Sequence, residues 1–154
     1  MLCIDVYNAS LRKPLPIAKV ERAVRTALTK EKVRTAQVNV VFVNDQDIHT
    51  MNKTYLQHDY PTDVITFSLE EETMDGEIYI SVETAQQQAQ EYNVSLTNEL
   101  MRLAIHGTLH LIGYDDATVA GRQQMHQLEN LYLEQCLTAV PSKRTSRRTR
   151  SSNR

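Results

Sequence analysis

Along this chain the spacing of apolar residues switches repeatedly between a two-residue and a 3.6-residue period. Residues 2–7 (LCIDVY) alternate in part and predict a first strand. A polar stretch with Pro14 and Pro16 follows, and then Ile17, Val20, Val24, Ala27 and Leu28 recur at helical spacing. Residues 36–43 (AQVNVVFV) are rich in β-branched side chains and predict a strand. Asn44-Asp45 is a helix start signal, after which Ile48, Met51 and Tyr55 form one inward stripe on a helix ending near Leu56. A loop broken by Pro61 leads to a strand at 63–69 (DVITFSL), an acidic turn over 70–75, and a strand at 77–80 (EIYI) introduced by Gly76. Ser81 caps a helix with Val82, Ala85, Ala89 and Tyr92 on one face. Ser95 caps another with Leu96, Leu100, Leu103 and Leu111 inward, and it should stop at Gly113. The last helix runs from about Thr118 to Leu137 with Met125, Leu128, Tyr132 and Cys136 inward, ended by Pro141. Strands and helices do not alternate strictly. The pattern therefore predicts an α+β fold, with a small mixed sheet of about four strands covered by about five helices.

The 154 residues suffice for one ordinary core, read as a single domain over 1–140 with a basic, disordered tail at 141–154. No apolar run approaches the roughly 20 residues of a bilayer span, and Asp5 inside the first apolar run argues against a signal peptide. Cys3 and Cys136 read as small buried hydrophobes in a reducing cytosol.

The formal charge of −2 conceals a strong asymmetry. Residues 35–140 hold three basic side chains against sixteen acidic ones, while positive charge gathers at the two ends of the chain. Lys19, Arg22 and Arg25 fall off the apolar stripe of the first helix, and Lys143, Arg144, Arg147 and Arg148 crowd the tail. Such surfaces attract polyanions, and these seven residues are the candidate contacts to a polyanionic partner; the tail also reads simply as a solvated end.

Candidate chemistry lies in residues 106–116. His106 and His110 are four apart on a predicted helix, so their imidazoles project from one face and can share a metal. A straight helix cannot bring a residue six positions further on to the same point. Gly113 lets the chain leave the helix and turn back, so that Asp116 can approach; Asp115 is a competing ligand. Few protein ligands plus water make the open site of a catalytic metal. A zinc protease of the HExxH kind needs Glu directly after the first His, where this chain has Gly107, and this argues against a metallopeptidase.

HGTLHLIGYDD resembles the signature H-G-x-L-H-L-x-G-Y-D-H of the YbeY family of rRNA-maturation endoribonucleases, matching every specified position but the last. Asn52–Tyr55, Pro61–Phe67 and Gly76–Ile78 are similar to further segments of that family, and Met125 and Glu129 follow at similar spacing. The resemblance spans about residues 1–137. It implies a metal-dependent endoribonuclease acting in rRNA maturation and ribosome quality control. One divalent ion, expected to be zinc, would be held by His106, His110 and Asp116, with RNA and the ribosome as partners. Asp116 stands where the family has a third His; its negative charge weakens the ion as a Lewis acid and favours harder metals. Leu56 stands where the family has an Arg implicated in activity, and His58 lies two residues on. The catalytic proton acceptor is not identified, with Asp63 and His58 as candidates. Thr62 and Asp63 line the cleft or cap the strand that follows. His49 and His126 read as structural. The competing reading is a non-catalytic ribosome assembly or RNA-binding factor with a structural metal.

Overall fold

The computed structural model describes residues 1–56, 62–70 and 73–138, the side chain of Leu56 excepted. His58, Pro61 and the tail residues Lys143, Arg144, Arg147 and Arg148 lie outside the described residues. The elements are β1 (Leu2–Asn8), α1 (Ile17–Lys30), β2 (Ala36–Val43), α2 (Asp45–Leu56), β3 (Val64–Glu70), β4 (Met74–Ser81), α3 (Val82–Glu91), α4 (Leu96–Ile112) and α5 (Val119–Thr138). This is the expected α+β class. One mixed sheet has the order β1-β2-β4-β3; β2 runs parallel to both β1 and β4, and β3 runs antiparallel to β4.

The alternation in β2 and β4 decides which face carries the main core. Val38, Val40 and Phe42 of β2 and Ile78 and Ile80 of β4 are fully buried on one side. On that side they meet Val20, Val24 and Leu28 of α1 and Leu100, Ile105 and Leu109 of α4. A smaller cluster of Val43, Ile48 and Ile65 lies with Phe67 and Tyr79 between α2 and the sheet. Strand β4 begins at Met74, earlier than the acidic turn suggests. Its first residues pair with β2, Met74 opposite Ala36, and the alternating Asp75 and Glu77 sit off the buried positions.

Helix α4 is apolar on most of its circumference because it is covered on most sides. It touches α1, α3, α5, β3 and β4. Two glycines allow its approach to the sheet. A Cβ on Gly107 would lie 2.7 Å from Ile78 Cγ2, and one on Gly76 would lie 2.6 Å from Leu111 Cδ2. Both distances are shorter than carbon atoms tolerate.

Two tyrosines and an isoleucine depart from the expected stripes. Tyr55 is 66% exposed and Tyr92 63%, while Ile17 is also exposed. Each lies within the last or first turn of its helix or at its C-cap, where the stripe runs past the edge of the core. A tyrosine can stay there because its hydroxyl remains hydrated. Tyr55 still packs edge-on against Phe67, with ring centroids 5.8 Å apart. Lys19, Arg22 and Arg25 are exposed as expected, and Arg25 pairs with Glu21 at 2.5 Å.

The Gly107–Ile78 approach is directly testable. Alanine favours a helix over glycine by about 1 kcal/mol, whereas overpacking costs about 1–3 kcal/mol. Gly107→Ala should therefore lower the denaturant midpoint despite its better helix propensity. An unchanged or raised midpoint would mean that α4 does not seat this closely on β4.

Candidate metal centre

The site is built at the C-terminal end of the buried helix. His106 and His110 occupy the last two turns of α4, with ring centroids 4.7 Å apart. Their side chains are 22% and 27% exposed, open enough for a ligand to reach and covered enough to be held. Unpaired carbonyls at a helix C-terminus favour positive charge nearby.

Gly113 ends the helix with φ at +125°, a conformation that side-chain-bearing residues rarely adopt. Its N–H reaches the carbonyls of Leu109 and His110, and the Tyr114 N–H reaches Leu109 at 3.0 Å. The chain then reverses. Asp115 and Asp116 separate in role: Asp115 Oδ1 accepts the N–H of Ala117 within the loop, at 2.8 Å. Asp116 Oδ2 instead stands 3.4 Å from His110 Nε2 and 3.6 Å from His106 Nε2. Donor atoms of these three residues all lie within 4.8 Å of one another. Tetrahedral ligands about 2.0–2.2 Å from one ion stand roughly 3.3–3.6 Å apart. The spacing and the donor set, two imidazole nitrogens and a carboxylate oxygen, therefore fit a divalent cation.

Two further anchors fix the turned-back loop. Glu31, at the C-cap of α1, accepts the hydroxyls of Tyr114, at 2.8 Å, and of Tyr132. Both phenol pKa values are raised, Tyr114 first by this bond and Tyr132 first by burial. Gly121, near the start of α5, lets that helix pass against the loop. A Cβ there would lie 2.2 Å from the Asp115 carbonyl oxygen.

The residue that sequence reasoning left without a role is Glu129. It is 7% exposed on α5, and its Oε2 lies 2.5 Å from His106 Nδ1. With Nδ1–H donated to this carboxylate, the lone pair of His106 sits on Nε2 and faces Asp116. Burial pulls the His106 pKa down, but the hydrogen bond and charge of Glu129, followed by Asp116 and Asp63, leave it raised overall. Arg102, one turn before His106, approaches the other Glu129 oxygen at 3.4 Å. A signal was present: Glu129 falls on the buried stripe between Met125 and Tyr132, where an acid has no place unless paired.

Beside His106 opens a cavity of about 460 Å³, lined in part by Asp63, Gln88, Glu99, Arg102, His126 and Asn130. Asp63 thus comes to the site from the start of β3, its Oδ2 accepting from Gln88 at 3.2 Å. His126 is exposed on α5 at the cavity wall, and His49 is half-buried on α2. Lys19, Arg22 and Arg25 lie on α1 and do not line the cavity.

The family model described as Endoribonuclease YbeY matches residues 7–137. The chain belongs to the YbeY family. Endoribonuclease YbeY of Chloroherpeton thalassium is 40% identical over 83% of this chain and 92% of its own. That of Bacillus licheniformis is 39% identical over 80% of this chain and 88% of its own. The solution structure of TM1509 from Thermotoga maritima is similar with a TM-score of 0.62 and 29% identity, covering 94% of this chain and 100% of that one. Membership gives the Gly107 finding a context: this YbeY-family chain has no room beside its first His for the Glu of an HExxH protease.

If Glu129 orients His106, Glu129→Gln should weaken divalent-metal affinity by about 10–100-fold with little change in the folded spectrum. Competitive titration against a zinc chelator measures it, and an affinity equal to wild type would remove Glu129 from the site.

Proposed function

We propose that this chain is a divalent-metal-dependent endoribonuclease acting in rRNA maturation, with His106, His110 and Asp116 as the metal ligands and zinc as the metal. The observation that carries the reading is the convergence of these three donor atoms in a chain of the YbeY family. A bound ion supplies Lewis acidity toward a phosphoryl oxygen and acidifies water. The chain's own residues do the rest. Glu129 holds His106 in the tautomer with Nε2 free, and Gly113 with the Glu31–Tyr114 bond holds Asp116 across from the histidines. Asp63 faces the cavity with one oxygen on Gln88 and is the candidate proton acceptor. Arg102, held by Glu129, presents a guanidinium at the same cavity.

The proposal extends to rRNA as substrate, the ribosomal subunit and its quality control as setting, and the cytosol as location. Cys3 and Cys136 are both free, in keeping with a reducing compartment. Among the described residues no helix is long and apolar enough to cross a membrane. The exposed cations of α1 and the basic tail would attract the RNA backbone without reading sequence.

The test is cleavage of ribosomal RNA by the purified protein beside a His106→Ala/His110→Ala variant prepared identically. Cleavage by wild type and a loss of at least about 100-fold in the variant are expected, since two of three ligands are gone. Equal cleavage by both would assign the activity elsewhere. RNA binding by both without cleavage by either would favour an assembly factor with a structural metal.

A further inference from the structure

The cavity beside His106 contains a group that metal binding does not use. Glu99 lies two turns before His106 on α4, is 2% exposed, and lines the cavity. Its neighbouring carboxylates are engaged, Asp63 with Gln88 and Glu129 with His106 and Arg102. The Glu99 carboxyl takes no hydrogen bond among the described residues. Burial raises its pKa, Arg102 lowers it, and Asp63 and Glu129 raise it further. A carboxyl on a buried helix face that has no protein partner and opens onto a cavity marks where a ligand's hydrogen-bonding group belongs.

The lining restricts what that ligand can be. Three carboxylates face it, against Arg102 as the one Lys or Arg among the described lining residues. A second phosphate would be repelled, whereas N–H donors would be welcome. The walls include the exposed ring of Tyr92 and the apolar Val94 and Leu103. About 460 Å³ accommodates a planar heterocycle. Unpaired RNA bases are bound in this way, stacked on an aromatic ring and hydrogen-bonded along their pairing edge. In its ionised form, which the neighbouring Arg102 favours, the Glu99 carboxylate offers two acceptor oxygens side by side. Of the four bases, guanine presents a ring N–H and an amino group side by side to match them.

We propose that this cavity takes an unstacked nucleobase of the RNA next to the phosphate at the metal centre, with Tyr92 as its stacking surface and Glu99 as the residue that favours guanine. The inference rests on the RNA-cleaving reading above and adds a base preference to it. Glu99 acts here as a specificity-determining residue, and Tyr92 as a general support for any base.

The experiment titrates the zinc-loaded full-length protein with GMP, AMP, CMP and UMP, beside Glu99→Gln and Tyr92→Ala, and maps wild-type cleavage positions on an unstructured RNA. GMP should bind about tenfold more tightly than UMP, as a two-point contact to a base edge provides. Glu99→Gln should bring that ratio close to one. Tyr92→Ala, at an exposed position, should weaken all four by about tenfold and leave the ratio intact, and wild-type affinities in this variant would overturn Tyr92 as the stacking surface. Cleavage should fall preferentially beside guanine. Equal binding of the four nucleotides by wild type would overturn the base pocket, even if RNA is cleaved. A ratio unchanged by Glu99→Gln would overturn the role of Glu99. If wild type cleaves nothing while the GMP preference is present and lost in Glu99→Gln, the cleavage reading fails and the base pocket stands.

Discussion

The seating of α4 on β4, at the point where Gly107 meets Ile78, is the contact on which the rest of the structure depends. It buries the middle of α4 against the sheet, and by doing so it brings the helix C-terminus to the molecular surface with two histidines on one face. A side chain at position 107 would crowd Ile78 and force one of the two elements or the Ile78 side chain to shift. The same contact decides the chemistry that is open to the site. The position directly after His106 faces the sheet rather than solvent, so no general base can stand there. A proton acceptor would have to come from another element, and of the carboxylates lining the cavity Asp63, beside the start of β3, is the one that neither lies on α4 nor bonds to His106.

A helix alone supplies two donors, and the third comes from the chain's reversal at Gly113. That reversal is held from several sides. Glu31 at the C-cap of α1 gathers two tyrosine hydroxyls, Gly121 lets α5 close over the loop, and Glu129 of α5 grips His106. Each of these residues acts by removing freedom from a donor atom before a ligand arrives. Preorganisation of this kind lowers the cost of ordering the donors when a ligand binds. The carboxylate at position 116 brings a charge that imidazole would not, so it would offer a bound ion a harder environment than three histidines would.

Much of this was readable in the sequence because it depends on local rules. The periodicity of residues 17–28 and 36–43 gave α1 and β2 with their inward faces, and Ser81 and Ser95 cap α3 and α4 through Thr84 and Asn98. The His-x-x-x-His spacing followed by glycine and aspartate pointed to the three converging side chains. What depends on distant contacts was harder to read. Glu129 meets His106 across 23 positions and Tyr132 meets Glu31 across 101, separations at which spacing says nothing. Glu99 and Glu129 both interrupt apolar stripes, and that irregularity was the available sign that each faces something other than core. Tyr55 and Tyr92 went the other way: helical spacing cannot tell where a stripe runs past the edge of the core.

The site described above is complete only if one divalent ion can sit between α4 and the loop that follows it. An anomalous-difference map from crystals grown with zinc tests this most directly. One strong peak is expected, about 2.0–2.2 Å from Nε2 of His106, Nε2 of His110 and a carboxylate oxygen of Asp116, with Glu129 still on His106 Nδ1. Ordered histidines with no peak between them, or a peak held by Asp115 or by residues elsewhere, would contradict it.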